Sequence, residues 1–461
     1  MRFQRILYFL LVLSSVYLLS TTGSGCAQIG APTGGAKDTL APKLIKANPG
    51  ERTTNFTGNK ITFTFNEYVE IQDVQNNVLV SPLTKNNPQI DYKLTTVTVK
   101  FKDSLKPNTT YSINFGNAIK DLNEGNPFSN FTYIFSTGNS IDSLSLQGKI
   151  IMAETGKPDS TVGVMLYRNT TDSAVKKLRP DYIARVKGDG SFMFSNLPAG
   201  NFNLYALKDG DGSKTYNSKK EIFGFNEKEI IVNTSTAPVT LYAYAEEKEK
   251  PAAVATPATE KKLKYTTAIT NNRQDLLSTL DLIFNKPLKT FEATRFSLTD
   301  TNYKPIPALL LTIDSTRKII SLRTKWAEDN NYILVINKDG VTDSADTHLA
   351  KSDTLKFITK KESDYGNITL RFSNINLNKK PVIQFVQGEE VKQSFPLVSK
   401  EWNAKLFAPG EYELRILYDE NGNGKWDAGS YEKKQQPEKV TAITQKISIR
   451  PNFDNEKEIT L

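Results

Sequence analysis

The strongest constraint in this chain is a period of two. Ile61, Phe63 and Phe65 alternate with Thr62 and Thr64, so a strand here turns apolar side chains to one face and threonines to the other. Val97, Val99 and Phe101 repeat the pattern, as do Tyr111, Ile113 and Phe115, and then Tyr133 and Phe135. Pro107-Asn108-Thr109-Thr110 falls between two of these segments as a turn signal. Short alternating segments separated by turn residues predict an all-β chain of antiparallel β-sandwiches. With 461 residues it is too long for one core and suits roughly three to five domains.

The same succession returns roughly 210–220 residues later. Leu280, Leu282 and Phe284-Asn285 echo Phe63 and Phe65-Asn66; Asp329-Asn330-Asn331 leads into Tyr332, Leu334 and Ile336; Asp343 takes the place of Asp121; Leu355, Phe357 and Thr359 close the copy. A different unit follows each copy. The first runs from Leu146 through Val164, Leu166 and Gly188-Asp189-Gly190-Ser191 to Leu197-Pro198-Ala199-Gly200 and the alternating Phe202, Leu204, Ala206. Its counterpart begins near Gly366 and has Phe407-Ala408-Pro409-Gly410 before Tyr412, Leu414 and Ile416.

The first kind of unit resembles the bacterial Ig-like domain of S-layer and surface proteins. The resemblance lies in Phe65-Asn66-Glu67, Thr109-Thr110-Tyr111, Asp121-Leu122-Asn123-Glu124-Gly125-Asn126 and Phe135-Ser136-Thr137-Gly138. The second kind resembles the prealbumin-like or carboxypeptidase-regulatory-like sandwich, a non-catalytic companion domain. The domains expected are a leader (1–25), a flexible tether (26–41), an Ig-like domain (42–138), a prealbumin-like domain (139–247), a linker (248–263), a second Ig-like domain (264–362) and a second prealbumin-like domain (363–461). Strung in that order, they predict a rod with one hinge at the linker.

Residues 1–25 have the three parts of a secretory signal: Arg2 and Arg5, an apolar run from Ile6 to Leu19, and small residues up to Gly25. The run is about 14 residues, shorter than a spanning helix needs. The leader runs up to Cys26, the only cysteine. The leader resembles a bacterial lipoprotein signal, in which the cysteine after the cleavage point carries the acyl chains. Ser24 and Gly25 suit that pattern. Gly23 departs from it, because Leu or Val is usual there, which leaves ordinary secretion with a free thiol as the alternative. Lipidation implies a bilayer partner through Cys26 and an outer-membrane location, on the periplasmic or the cell-surface side.

Composition narrows the functions. Net charge is +9, without a compact run of Lys and Arg, so no nucleic-acid footprint is present. One cysteine excludes an internal disulfide and a cysteine-cluster metal site. His348 is the only histidine and lies in a polar, turn-like stretch; with no Gly-x-Ser-x-Gly elbow beside it, the chain reads as no enzyme.

Two acidic loops are candidate sites. Asp419, Asn421, Asn423 and Asp427 stand at positions 1, 3, 5 and 9 of a loop with Gly424 at position 6. That is the oxygen spacing of the first part of a calcium loop. Ser430 replaces the usual glutamate at position 12, and Glu432 is a candidate substitute. The loop from Asp209 through Asp211, Ser213 and Asn217 is the weaker version. No cofactor is required; a calcium ion there would be structural. The competing reading is a hairpin rich in residues that tolerate positive φ.

Asp-Ser/Thr triplets recur at Thr39, Ser104, Ser143, Ser173, Ser344 and Thr354, and also at Ser160 and Ser315. They resemble the O-glycosylation triplet of Bacteroidetes envelope proteins, with turn composition as the alternative. The function expected is a non-catalytic, membrane-anchored scaffold or accessory subunit that binds another envelope protein. The alternative is a surface adhesin or glycan-binding protein that stacks sugars on Tyr216 and Trp426.

Overall fold

A computed structural model of the chain describes residues 2–21, 37–248 and 262–461. Cys26, Gly23 and most of the expected tether and linker lie outside the described residues. The described chain is all-β apart from the helix Arg2–Thr21 and single helical turns. No described helix is long and apolar enough to cross a membrane. The chain forms two compact units, one reaching Ser140 and the other covering Ile141–Leu461, with Ser81–Leu83 counted in the second.

In the first unit the alternation read from the sequence is realised residue by residue. Lys60–Phe65 buries Ile61, Phe63 and Phe65 and pairs Ile61 with Val99 and Phe63 with Val97. Its sheet runs Leu44–Asn48, Lys60–Phe65, Thr96–Lys100, Gln89–Lys93. The other sheet runs Leu79–Ser81, Thr110–Asn114, Thr132–Ser136. Both contribute to one core, in which Phe63 meets Phe115 edge-on at 5.4 Å and Tyr133 at 5.0 Å. Burial of a single such ring stabilises by about 2–3 kcal/mol. Val69–Ile71 and Ile119–Asp121 make a separate ribbon.

Three sandwiches make up the second unit, and the middle one repeats several local devices of the first unit. Its sheets order Tyr265–Thr267, Leu280–Phe284, Ile319–Arg323, Leu310–Ile313 and Arg273–Gln274, Asp353–Thr359, Asn331–Ile336, Phe296–Thr299, with the ribbon Leu288–Phe291 on Val341–Asp343. Asn66 accepts from the Lys43 amide at 2.6 Å, and Asn285 from the Lys264 amide at 3.0 Å. The Tyr111 hydroxyl accepts from the amide of Lys106, and that of Tyr332 from Ala327, five residues upstream in both cases. Such a corner pins the entry to an inner strand.

All three sandwiches of this unit differ from the expectation in one respect, the middle one pairing Arg273–Gln274 in parallel with Asp353–Thr359. The outer two contain the longer parallel pairs, Leu144–Met152 beside Val239–Ala243 and Gly366–Ser373 beside Asp454–Thr460. The remaining pairings are antiparallel.

A hinged rod is not what the second unit forms. The sandwich whose strands run from Gly366 to Thr460 packs directly against the one whose strands run from Leu144 to Ala243. The Val440 amide donates to Ala153 carbonyl oxygen at 3.1 Å. Gly156, at φ +69°, brings its backbone so close that a Cβ would lie 2.5 Å from the Ala442 nitrogen. The apolar faces left over by each sandwich cover one another, which is more favourable than exposing both to water.

Candidate functional site

The seam between these two sandwiches holds a dense aromatic cluster. Tyr431 comes from a loop of the later sandwich and is 3% exposed. Its ring lies 5.2 Å from Phe223, 5.3 Å from Phe225, 5.9 Å from Tyr205 and 6.2 Å from Tyr216, all of the earlier sandwich. Its hydroxyl donates to the Asp172 carbonyl at 2.9 Å and accepts from Tyr205 at 3.0 Å. Glu246 receives both the Tyr431 amide (3.0 Å) and the Tyr216 hydroxyl (2.9 Å). Lys434 pairs with Asp172 at 2.6 Å, and Lys157 with Glu413 at 2.6 Å. Burial pushes the phenols of Tyr431 and Tyr216 well above their ordinary range, so both stay neutral donors at any physiological pH.

This packing overturns the role given to Tyr216 and leaves that of Trp426 open. Tyr216 is 4% exposed and stacks on Phe223 at 4.1 Å. Trp426 is half-buried, and its indole N–H donates to the Glu438 carbonyl at 2.8 Å. The buried Tyr216 ring is no free stacking surface for a sugar, whereas Trp426 keeps part of its ring exposed.

The Asp419 loop does gather its predicted residues. Buried Asp419 accepts from the amides of Gly422, Asn423 and Gly424 at 2.7, 3.2 and 2.7 Å. The side-chain amides of Asn421 and Asn423 both donate to Asp427 Oδ2 at 2.6 Å. Position 12 does not join: Ser430 forms a backbone pair with Gln435, and Glu432 turns across the seam to Lys176 at 3.6 Å and Lys219 at 3.7 Å. The carboxylate that closes the loop is Glu438, which accepts from the amides of Glu420 and Asp427 at 2.9 and 3.1 Å. Burial raises its pKa above the ordinary glutamate range, and the Asp419 and Asp427 charges add to that. Nothing in the loop spacing pointed to Glu438, because it lies beyond the loop on the return of the chain.

The weaker loop places its carboxylates closer. Asp209, Asp211 and Glu221 each bring an oxygen within 4.8 Å of the others. Asp209 Oδ1 is buried and lacks a hydrogen-bond partner among the described residues. Asp211 is held far below the ordinary carboxylate range, first by the Asn217 side chain at 2.8 Å and then by Ser213.

His348 faces Asp339 at 3.6 Å with both side chains half exposed. All eight hydroxyl residues of the Asp-Ser/Thr triplets are exposed. Several of the aspartates cap their own turns, as Asp38 does by accepting from the Leu40 amide, Asp159 from Thr161, Asp314 from Thr316 and Asp343 from Ala345. The turn reading of these triplets therefore describes their geometry, and the hydroxyls still stand open to solvent.

Tandem β-sandwiches, two of them with a packed seam, define the protein as an all-β chain. More particularly, residues 38–137 match the family model described as "Bacterial Ig-like domain". Among solved structures, it is similar to the N-terminal part of the bacterial S-layer protein SbsC (14% identity, 45% of this chain and 44% of that chain, TM-score 0.16). It is similar also to BcpA, the major pilin subunit of Bacillus cereus (11% identity, 68% and 99%, TM-score 0.17), and to an L,D-transpeptidase from Mycobacterium smegmatis (10% identity, 42% and 77%, TM-score 0.15). The chain thus spans under half of the S-layer fragment, and likenesses at these TM-scores carry no argument about role. A search of the curated proteins finds no match.

Proposed function

We propose that this is a non-catalytic scaffold protein of the outer membrane, tethered by acyl chains on Cys26, that holds an envelope protein partner on its Ig-like surfaces. In this reading its sandwiches are two copies of an Ig-like and prealbumin-like pair. The observation that carries the reading is the seam. Tyr431, Glu246 and Lys434 lock two sandwiches that are far apart in sequence, and such rigidity serves presentation of a surface rather than closure on a substrate. The leader ending at the only cysteine supports the tether. Fold alone does not specify function, so the test is direct. Pull-down from gently solubilised membranes should recover a partner with the wild type, while Cys26→Ala should move the protein out of the membrane fraction. Recovery of the protein alone in every detergent would refute the scaffold, and unchanged fractionation of the variant would refute the tether.

A second reading concerns calcium. The converging carboxylates of Asp209, Asp211 and Glu221, with the unpartnered Asp209 oxygen, favour this loop over the Asp419 loop as the holder of a structural ion. Amides engage the carboxylates of both loops, so the unpartnered Asp209 Oδ1 is what sets this one apart. An ion bound at the Asp209 loop would stiffen the segment that carries Tyr216 to the seam.

A further inference from the structure

The same seam opens into a basic, aromatic groove away from Tyr431. Lys439 stands opposite Tyr418 on the neighbouring strand, and its ammonium reaches across to lie 4.6 Å from the ring centre of Tyr242. It lines two hollows. One, of about 260 Å³, also takes in Tyr242 and Lys228. The other, of about 310 Å³, takes in Tyr418, Lys379 and Lys380. The Lys379 ammonium lies 5.6 Å from the Tyr418 ring centre. Both tyrosines are half-buried, and all four lysines are exposed. Against these four cations, the carboxylates of the lining residues are Glu227 and Glu420. The floor is fixed by the docking itself, since Gln436 donates to the Phe225 carbonyl at 3.1 Å.

We propose that this groove binds an acidic polysaccharide. Half-buried rings offer apolar faces for sugar C–H groups, while a few convergent polar groups fix orientation. Lysines lying on those rings are held only weakly at exposed sites, so they can turn to a carboxylate or sulfate without breaking the fold. Two tyrosines bridged by Lys439 suit successive charged sugars along a chain. Neutral glycans would leave the positive surplus unmatched. The proposal does not depend on membrane attachment or on a protein partner.

The test uses the purified full chain in affinity electrophoresis through polygalacturonate, chondroitin sulfate and, as a neutral control, dextran. Retardation by an acidic polymer but not by dextran is expected, and it should weaken as salt is raised. Lys439→Glu should weaken binding by about tenfold or more, and Lys439→Arg should keep it. Lys405→Glu makes the same charge change outside the groove and should bind as the wild type does. Lys379→Glu serves if the Lys439 variant fails to fold. Binding to none of the acidic polymers, equal loss in Lys405→Glu, or equal retention of wild type and Lys439→Glu would overturn the proposal. So would equal retardation by single-stranded DNA, which would make the attraction one of charge alone.

Discussion

Tyr431→Ala should undock the last sandwich from the one that begins at Leu144 while leaving each folded. The tyrosine is 3% exposed, with four aromatic neighbours from the other sandwich and two hydroxyl hydrogen bonds across the seam. Truncation of a buried aromatic of this kind costs about 3–5 kcal/mol. Each lost hydroxyl bond contributes about 1 kcal/mol of that. Taking about 4 kcal/mol, the docked population relative to the undocked falls by roughly a thousandfold. The amide of Val440 reports this directly, because its hydrogen bond ends on Ala153 of the other sandwich. Hydrogen exchange at that amide should accelerate by up to the same factor, whereas amides inside each sheet keep their protection. Tyr431→Phe keeps the ring and should cost only about 1–2 kcal/mol. If Val440 stays as protected in Tyr431→Ala as in the wild type, the seam is not held by the tyrosine and the reasoning fails.

Asp343 is buried, bonded to Lys286 at 2.9 Å and to the amides of Ala345 and Thr347. The Lys286 bond first, then the loop amides, hold its pKa at about 2. A depressed acid stabilises above its unfolded value near 4 and loses that contribution as pH falls from about 4 to about 2. Asp343→Asn should therefore cost about 2 kcal/mol at neutral pH and nearly nothing at the acid end of that window, read by thermal melts across pH. Tyr332→Phe removes the corner bond to Ala327 and should lower stability by about 1 kcal/mol in denaturant titration. Millimolar Ca²⁺ should raise the melting temperature of the wild type and not of Asp211→Asn, and an absent shift in the wild type would end the calcium reading. The intact mass of protein from its native membrane should exceed polypeptide plus lipid if any of Thr39, Ser104, Ser143, Ser173, Ser344 or Thr354 is modified; equality would exclude it.

What the sequence determined by itself is local. Period-two alternation is enough to place Ile61, Phe63 and Phe65 in a core, since side-chain direction in a strand follows from residue parity alone. Asn66, Asn285, Tyr111 and Tyr332 were legible as strand and turn positions, and their hydrogen bonds run to residues a short distance away or to a neighbouring strand. The loop Asp419 to Asp427 was legible for the same reason, because its partners lie within eight residues of one another. Tertiary structure alone decided the rest. Tyr431 sits in a loop without periodicity, and its partners Glu246 and Tyr205 are 185 and 226 residues away. Glu438 replaced Glu432 because the return strand carries it to the loop while Glu432 is drawn across the seam to Lys176 and Lys219. The docking of the last sandwich on the one that begins at Leu144 was likewise not legible. Linear order sets which sandwiches are joined by chain, but the apolar and hydrogen-bonding faces left exposed on each set which ones meet.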